Sequence, residues 1–278
     1  MPDHHDVPFD PAGLQALSRS YPLTPARLTH RLAGDPLFAL DTLAEAADAV
    51  PKACFEYRVG DGSSGFPIAE RHARRPGEIV RGIEQLGGWA MMKQLDRLAR
   101  YEAPIASLAE ALAPTIVAIT GKPRRWRSFV FVSSGGTLTP RHFDPEYNVL
   151  LQLAGTKAVD VEPATSIGAH ELADYRRTGD NLLPSMRAEE ALQVELSPGE
   201  ALYIPYLAAH AVRVLGGVSI SLSITWASEW TMAHENAQRC NAALQAFGVQ
   251  TRPPPAWPGR APLRTLGGRL LARAGVAG

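Results

Sequence analysis

Thr139-Pro-Arg-His-Phe-Asp-Pro-Glu-Tyr-Asn148 is the stretch from which the rest of the chain can be read. His142 and Asp144 stand two apart, and on an extended strand that spacing turns both side chains to one face. A second histidine, His210, follows the strand-like run Ala201-Leu-Tyr-Ile-Pro205. Two imidazoles and one carboxylate make the facial set that holds Fe(II) and leaves coordination positions for further ligands. A bare H-x-D triplet also arises in solvated turns, so the triplet alone leaves both readings open.

The neighbours of the triplet narrow the choice. Thr139 lies three before His142, Asn148 six after it, and Lys157 fifteen after it, just past Ala154-Gly155-Thr156. With these residues the chain resembles the JmjC-type (cupin-like) family of Fe(II)- and 2-oxoglutarate-dependent oxygenases. The likeness is greatest to its small protein-hydroxylase branch, which includes the asparaginyl hydroxylase that acts on hypoxia-inducible factor, and it runs over residues 129–226. The resemblance implies an all-β core with helical flanks, a double-stranded β-helix (jelly-roll, cupin) barrel with N-terminal and C-terminal helices. It implies that His142, Asp144 and His210 bind iron and that Thr139 and Lys157 hold the far carboxylate of 2-oxoglutarate. Asn148 then lies near the metal-bound end of that co-substrate, and O2 is the second co-substrate. Members of the hydroxylase branch often carry an asparagine on the last strand near the metal; allowing a hairpin shorter by one residue, this chain has Ser223 there. Arg141 stands where small residues are common, and strand parity turns it away from His142, towards a structural salt bridge.

Lys157 also departs from the habit of the chain. Of 28 basic residues only Lys52, Lys93, Lys122 and Lys157 are lysines. A compact ammonium suits a narrow carboxylate pocket in which the arginine fork would be too bulky.

Composition sets outer limits. A chain of 278 residues, 45% apolar and 20% charged, has the make-up of a globular protein with one large core or two modest ones. Its formal net charge is zero and it has no long basic run, so neither a nucleic-acid groove nor an anionic membrane surface is expected. Cys54 and Cys240 form no metal or redox motif and read as buried thiols. The polar start, Met1-Pro-Asp-His-His-Asp, does not read as a signal peptide, and no apolar run approaches membrane-spanning length. The expectation is a cytoplasmic protein.

Patterning divides the chain into a mainly helical region over 1–121, a barrel over 122–230 with a polar insert at 163–198, and C-terminal helices over 231–278. In the first region, helices are expected over 25–32 (proline in the first turn), 41–50 (opening on a capping aspartate) and 77–86 (stopped by Gly87-Gly88). A loop is expected over 59–65, a strand over 89–95, and a helix over 105–119 that Pro114 kinks or breaks. In the barrel, 129–132 and the nearly all-apolar 149–154 read as strands, the second buried on both faces. Residues 157–161 are expected to pair back across the 154–156 turn as a hairpin, and 211–215 to turn at Gly216-Gly217 into a last strand over 218–226. In that strand Val218, Ile220, Leu222, Ile224 and Trp226 alternate with Ser219, Ser221, Ser223 and Thr225. Alternation alone puts the hydroxyls in solvent; the family resemblance puts them inside, lining a polar co-substrate pocket.

The insert is long for a plain connection and reads as a substrate-facing lid. His72, His170 and His234 lack partner spacing and read as surface or capping residues. Helices over 233–247 and 263–274 read either as a homodimerisation element or as packing on the N-terminal region. The leading function is hydroxylation of a C–H bond in a protein or peptide side chain or a small metabolite. N-methyl-lysine demethylation is the same chemistry and ranks lower, because no histone-reading module or basic surface accompanies the barrel. A non-catalytic cupin-like binding or regulatory protein is the other class, and the intact ligand set speaks against it. A cupin isomerase or dioxygenase independent of 2-oxoglutarate would carry an H-x-H and a glutamate, which this chain lacks.

Overall fold

The computed structural model describes residues 7–59, 74–184 and 191–275. Apart from Val59, the loop expected over 59–65 lies outside the described residues, as does His72. Two long antiparallel strands, β6 (Tyr147–Val161) and β9 (His210–Ser228), form the spine, and among the described residues seven shorter strands are arranged around them. These are β1 (Ala26–Thr29), β2 (Phe55–Arg58), β3 (Trp89–Lys93), β4 (Pro123–Ser133), β5 (Leu138–His142), β7 (Leu192–Leu196) and β8 (Glu200–Ile204).

Each long strand changes partners halfway along. The first half of β6 pairs with β8, its second half with β7, and β9 lies along its other edge throughout. The first half of β9 pairs with β5 and its second half with β4. One layer thus runs β1-β8-β6-β9-β4-β3-β2 and the facing layer β7-β6-β9-β5. Strands that bend from one layer into the other at bulges are how a double-stranded β-helix turns its corners. The all-β core with helical flanks expected from the sequence is the fold observed.

The corners correct two expected hairpins. Residues 154–157 do not turn back, and neither do Gly216 and Gly217; β6 and β9 run straight through them, with register shifts between 152 and 157. Gly155 sits at φ +67°, and a Cβ there would lie 2.5 Å from the Val218 carbonyl oxygen, so glycine permits the bulge and the close crossing at once.

The N-terminal region supplies three strands as well as helices. Within 25–32 the chain forms β1 and not the expected helix: Ala26 and Leu28 are buried while Arg27 and Thr29 are exposed, a period of two, and the strand pairs with β8. His30, just beyond it, accepts Leu32 N–H at Nδ1 (3.1 Å) and so donates from Nε2 to the Gln152 carbonyl (2.9 Å), strapping β1 to β6. Burial keeps this imidazole neutral. Helix α1 (Pro11–Ser20) is capped by Asp10, whose carboxylate accepts Ala12 N–H. Helix α2 (Leu40–Ala49) has Asp41 in its first turn and Ala39, not Asp41, at its cap. The helix expected over 77–86 is two short ones, α3 (Pro76–Arg81) and α4 (Ile83–Leu86), divided at Gly82.

Helix α5 (Ala99–Thr120) runs unbroken through Pro104 and Pro114, so of the kink or break expected at Pro114 the break does not occur. Its stripe of Tyr101, Ile105, Leu108, Leu112 and Ile116 packs into the core, and that packing outweighs the lost backbone bonds. Helix α5 is also long and apolar enough to cross a membrane by length and composition, whereas the sequence, with Pro114 read as an interruption, offered no run of that length. The same apolar stripe is what a core helix requires. Helix α6 (Ala169–Thr178) lies in the insert, and α7 (Glu229–Ala246) and α8 (Pro262–Arg273) follow β9 and pack on each other. The end of the expected insert, 192–196, belongs to the barrel as β7. Cys54 is buried and Cys240 half-buried.

Candidate metal centre

His142 closes β5, and His210 opens β9 directly opposite it in register. Their rings lie 4.2 Å apart, and the ligand atoms of His142, Asp144 and His210 all fall within 4.8 Å of one another. The strand geometry that motivated the H-x-D reading is only half present, because β5 ends at His142 and Asp144 stands beyond it. Asp144 is fixed instead by its carbonyl, which accepts Leu207 N–H at 3.1 Å.

The donor chemistry fits Fe(II). His142 Nδ1 lies 2.8 Å from the Pro140 carbonyl and His210 Nδ1 3.0 Å from the Ala208 carbonyl. A carbonyl can only accept, so both Nδ1 atoms carry hydrogen and both Nε2 lone pairs are left as ligands. Burial, reinforced by the neighbouring His142, pushes the His210 imidazole well below its ordinary value, and Asp144 only partly opposes this. His210 is therefore neutral, and its 3.7 Å approach to Asp144 brings two ligand atoms together without forming an ion pair. The Asp144 side chain keeps 33% of its surface exposed, so the cluster is reachable from solvent.

The other expected site residues share the inner face of the barrel. Directly opposed residues project to the same side. Lys157 stands opposite Val214, Thr139 opposite Val212, and His142 opposite His210, so the three lie in successive rows across β9. Asn148 faces Thr225, and Ser223 faces Leu150. The hydroxyl row is buried, which decides between the two readings of the alternating strand: Ser219 bonds Gln152, Ser221 bonds Lys157 and Thr225 bonds Glu146. Since β9 contains no hairpin, Ser223 faces inward through alternation alone. The Asn148 Oδ1 and Gln152 Oε1 atoms are buried without a hydrogen-bond partner among the described residues, which marks this face as one suited to a polar guest.

Lys157 is the unusual member. Its ammonium is buried, donates to Ser221 Oγ at 2.7 Å and lies 5.8 Å from the centre of the Phe131 ring. Among the described residues no carboxylate pairs with it, and burial pushes it down to about 7. Ser221 and Phe131 were legible only through the parity of their strands. Arg141, as expected, turns the other way and forms a buried bidentate pair with Glu162 (2.9 and 2.7 Å). His170 is a surface residue, but His234 is not: it stacks on Trp230 and lies 3.4 Å from Tyr206 Oη, half-buried. Burial, with Arg176 nearby, pushes it down to about 4. A cavity of about 340 Å³, lined by Leu32, Phe38, Leu40, Leu153, Val218 and Ile220, lies on the outer face of β6 and β9, away from this chemistry.

Residues 83–232 match the cupin-like domain family. The chain is 36% identical over 107 residues to the lysine-specific demethylase JMJ30 of Arabidopsis thaliana, a stretch covering 34% of this chain and 24% of that protein. It is 31% identical over 102 residues to lysine-specific demethylase 8 of Xenopus tropicalis, covering 33% and 23%. These matches span about a quarter of either demethylase. The crystal structure of the Escherichia coli ribosomal oxygenase YcfD superposes with a TM-score of 0.50 at 15% identity, over 91% of this chain and 63% of that one. At such identity the likeness is one of fold.

Proposed function

This chain belongs to the cupin-like domain family, and from that premise we propose that it is an Fe(II)- and 2-oxoglutarate-dependent oxygenase that hydroxylates a C–H bond. The observation that carries the reading is one inner face holding both a two-histidine, one-carboxylate cluster and a buried ammonium with no acidic partner among the described residues. A desolvated cation of that kind costs stability unless an anion joins it, and a 2-oxo diacid supplies one.

His142 and His210 through Nε2, and Asp144 through its carboxylate, hold the iron. Lys157 and Thr139 take the far carboxylate of 2-oxoglutarate, and Ser221 orients the ammonium. Asn148 and Ser223 face the metal-bound end. Iron bound there supplies the redox chemistry by which 2-oxoglutarate, O2 and R–H become succinate, CO2 and R–OH. The chain's own part is to fix the ligand atoms, keep the His210 imidazole neutral and shield the co-substrate from water.

The substrate is a protein or peptide side chain or a small metabolite. The names of both demethylase relatives favour a second reading, removal of an N-methyl group from lysine, which begins with the same hydroxylation and ends with release of formaldehyde. The balanced charge and the lack of a basic run support a substrate other than nucleic acid. The exposed Leu263, Leu266 and Leu270 of α8 support a homodimer through the C-terminal helices. Fe(II)-loaded protein incubated with 2-oxoglutarate, O2 and panels of peptides, methylated peptides and metabolites tests the proposal. A gain of one oxygen, or formaldehyde release, matched to succinate is the expected result. No succinate above a protein-free control, with or without the panels, would count against it.

A further inference from the structure

Among the described residues, the insert pairs its backbone with the metal strand at 180–183. Residues 180–183 lie antiparallel to the end of β5, with Leu182 bridging His142. Leu183 N–H donates to the Arg141 carbonyl at 2.9 Å, and Phe143 N–H donates to the Asn181 carbonyl at 3.2 Å. The Asn181 side chain adds a third bond, from Nδ2 to the Phe143 carbonyl at 2.7 Å. Asn181 thus holds both the N–H and the C=O of Phe143, the residue between the two ligands of the H-x-D triplet.

This matters because β5 ends at His142. Beyond it no sheet ladder dictates that a residue two further on shares the face of His142. The Leu207 N–H anchors Asp144 from its far side; its direction relative to His142 is set by the backbone at Phe143, and both peptide planes flanking that residue are gripped by Asn181. Two further contacts stiffen the grip. The Phe143 ring is buried and meets Tyr175 of α6 edge-on at 5.2 Å, and Arg141 Nη1 reaches the Pro184 carbonyl at 3.4 Å. The Asp180 carboxylate accepts Leu182 N–H at 3.0 Å and shapes the turn that presents Asn181.

We propose that Asn181 is a positioning residue for the metal centre: its side-chain amide, donated to the Phe143 carbonyl, takes the place of the missing ladder and sets the spacing of the His142 and Asp144 ligand atoms. The insert is then a brace for the metal strand. The inference rests on the metal reading above, and its test separates the two.

Outer partners that orient a ligand are worth tenfold to a hundredfold in metal affinity. Asn181→Ala should therefore weaken Co(II) binding about tenfold or more, measured by calorimetry and by the visible absorbance of the bound ion on the full-length metal-free protein. Asn181→Asp is the sharper variant. It keeps the size of the side chain and brings negative charge towards a cation, yet it sets an acceptor against the Phe143 carbonyl. Donation by the amide predicts that Asp weakens Co(II) as Ala does and alters the visible spectrum; a role in packing predicts near wild-type behaviour. Leu182→Ala, which leaves the backbone bonds in place and removes a side chain 45% exposed, should bind Co(II) as wild type does. Wild-type affinity and spectrum in Asn181→Asp overturn the proposal while leaving the metal site standing. A wild-type protein that takes up no Co(II) overturns both.

Discussion

Lys157 could be singled out in the sequence because lysine is rare in this chain, but the sequence could not say what surrounds it. The structure gives it one hydroxyl and one aromatic ring. An ammonium so placed is poised for an anion. Losing one partner of a buried ion pair costs about 3–5 kcal/mol, which at about 1.4 kcal/mol per tenfold is on the order of a hundredfold to a few thousandfold in affinity. Lys157→Ala should bind Fe(II) or Mn(II) normally and need that much more 2-oxoglutarate in a calorimetric titration; arginine should rescue little. The pH dependence has a definite sign. Only the protonated amine pairs with a carboxylate, and burial pushes the free protein's Lys157 down to about 7. Below that value the site is already charged; above it, binding must first take up a proton. Affinity for 2-oxoglutarate should therefore fall as pH rises above about 7, by up to about tenfold per unit. A flat profile from pH 6 to 9 would mean that Lys157 does not meet the co-substrate. Asn181 and Glu162, by contrast, left no mark in the sequence: each matters only through a backbone or an arginine that the fold brings to it.

At the scale of elements, what could be read was period, and what misled was punctuation. The alternation of Val218 to Trp226 was legible and correct, but Gly155 and Gly216-Gly217 looked like turns. Glycine marks a place where the backbone must do something unusual, and a bulge that carries two strands round a corner satisfies it as well as a hairpin does. Pro25 likewise suggested a helix start, although buried Ala26 and Leu28 alternate as a strand. Pro114 suggested a kink or a break, and with five core side chains on its stripe the helix does not break. The insert was legible as long and polar, but not as two parts with different contacts. Helix α6 packs its Tyr175 on Phe143, whereas 180–183 pair with β5. Replacing residues 169–178 by a short Gly/Ser linker should leave Co(II) affinity within a few-fold of wild type. Removing 163–184 altogether should lose most of it. Equal affinity in both deletions would show that the pairing with β5 contributes nothing to the metal centre.

At the scale of the whole molecule, the pairing of β5 with β9 brings the two halves of a sequence motif together. His142 and His210 are far apart along the chain and directly opposed in register. The inner face between them carries hydroxyls, amides and Lys157 beside apolar side chains such as Leu150 and Val212. Helix α8 leaves Leu263, Leu266 and Leu270 exposed at helical spacing, the pattern of a face meant for another surface. Leu266→Glu with Leu270→Glu should convert a dimer to a monomer in sedimentation equilibrium, and a wild-type protein that is itself monomeric would rule out the homodimer. The central claim, that one inner face binds Fe(II) and 2-oxoglutarate together, is tested most directly by visible absorbance under anaerobic conditions. Adding Fe(II) and 2-oxoglutarate together to the wild-type protein should produce a metal-chelate band that neither gives alone. His142→Ala and His210→Ala, with melting curves showing that the fold survives, should give none. The same band at the same concentrations in both variants, or no band in the wild type, would contradict the account.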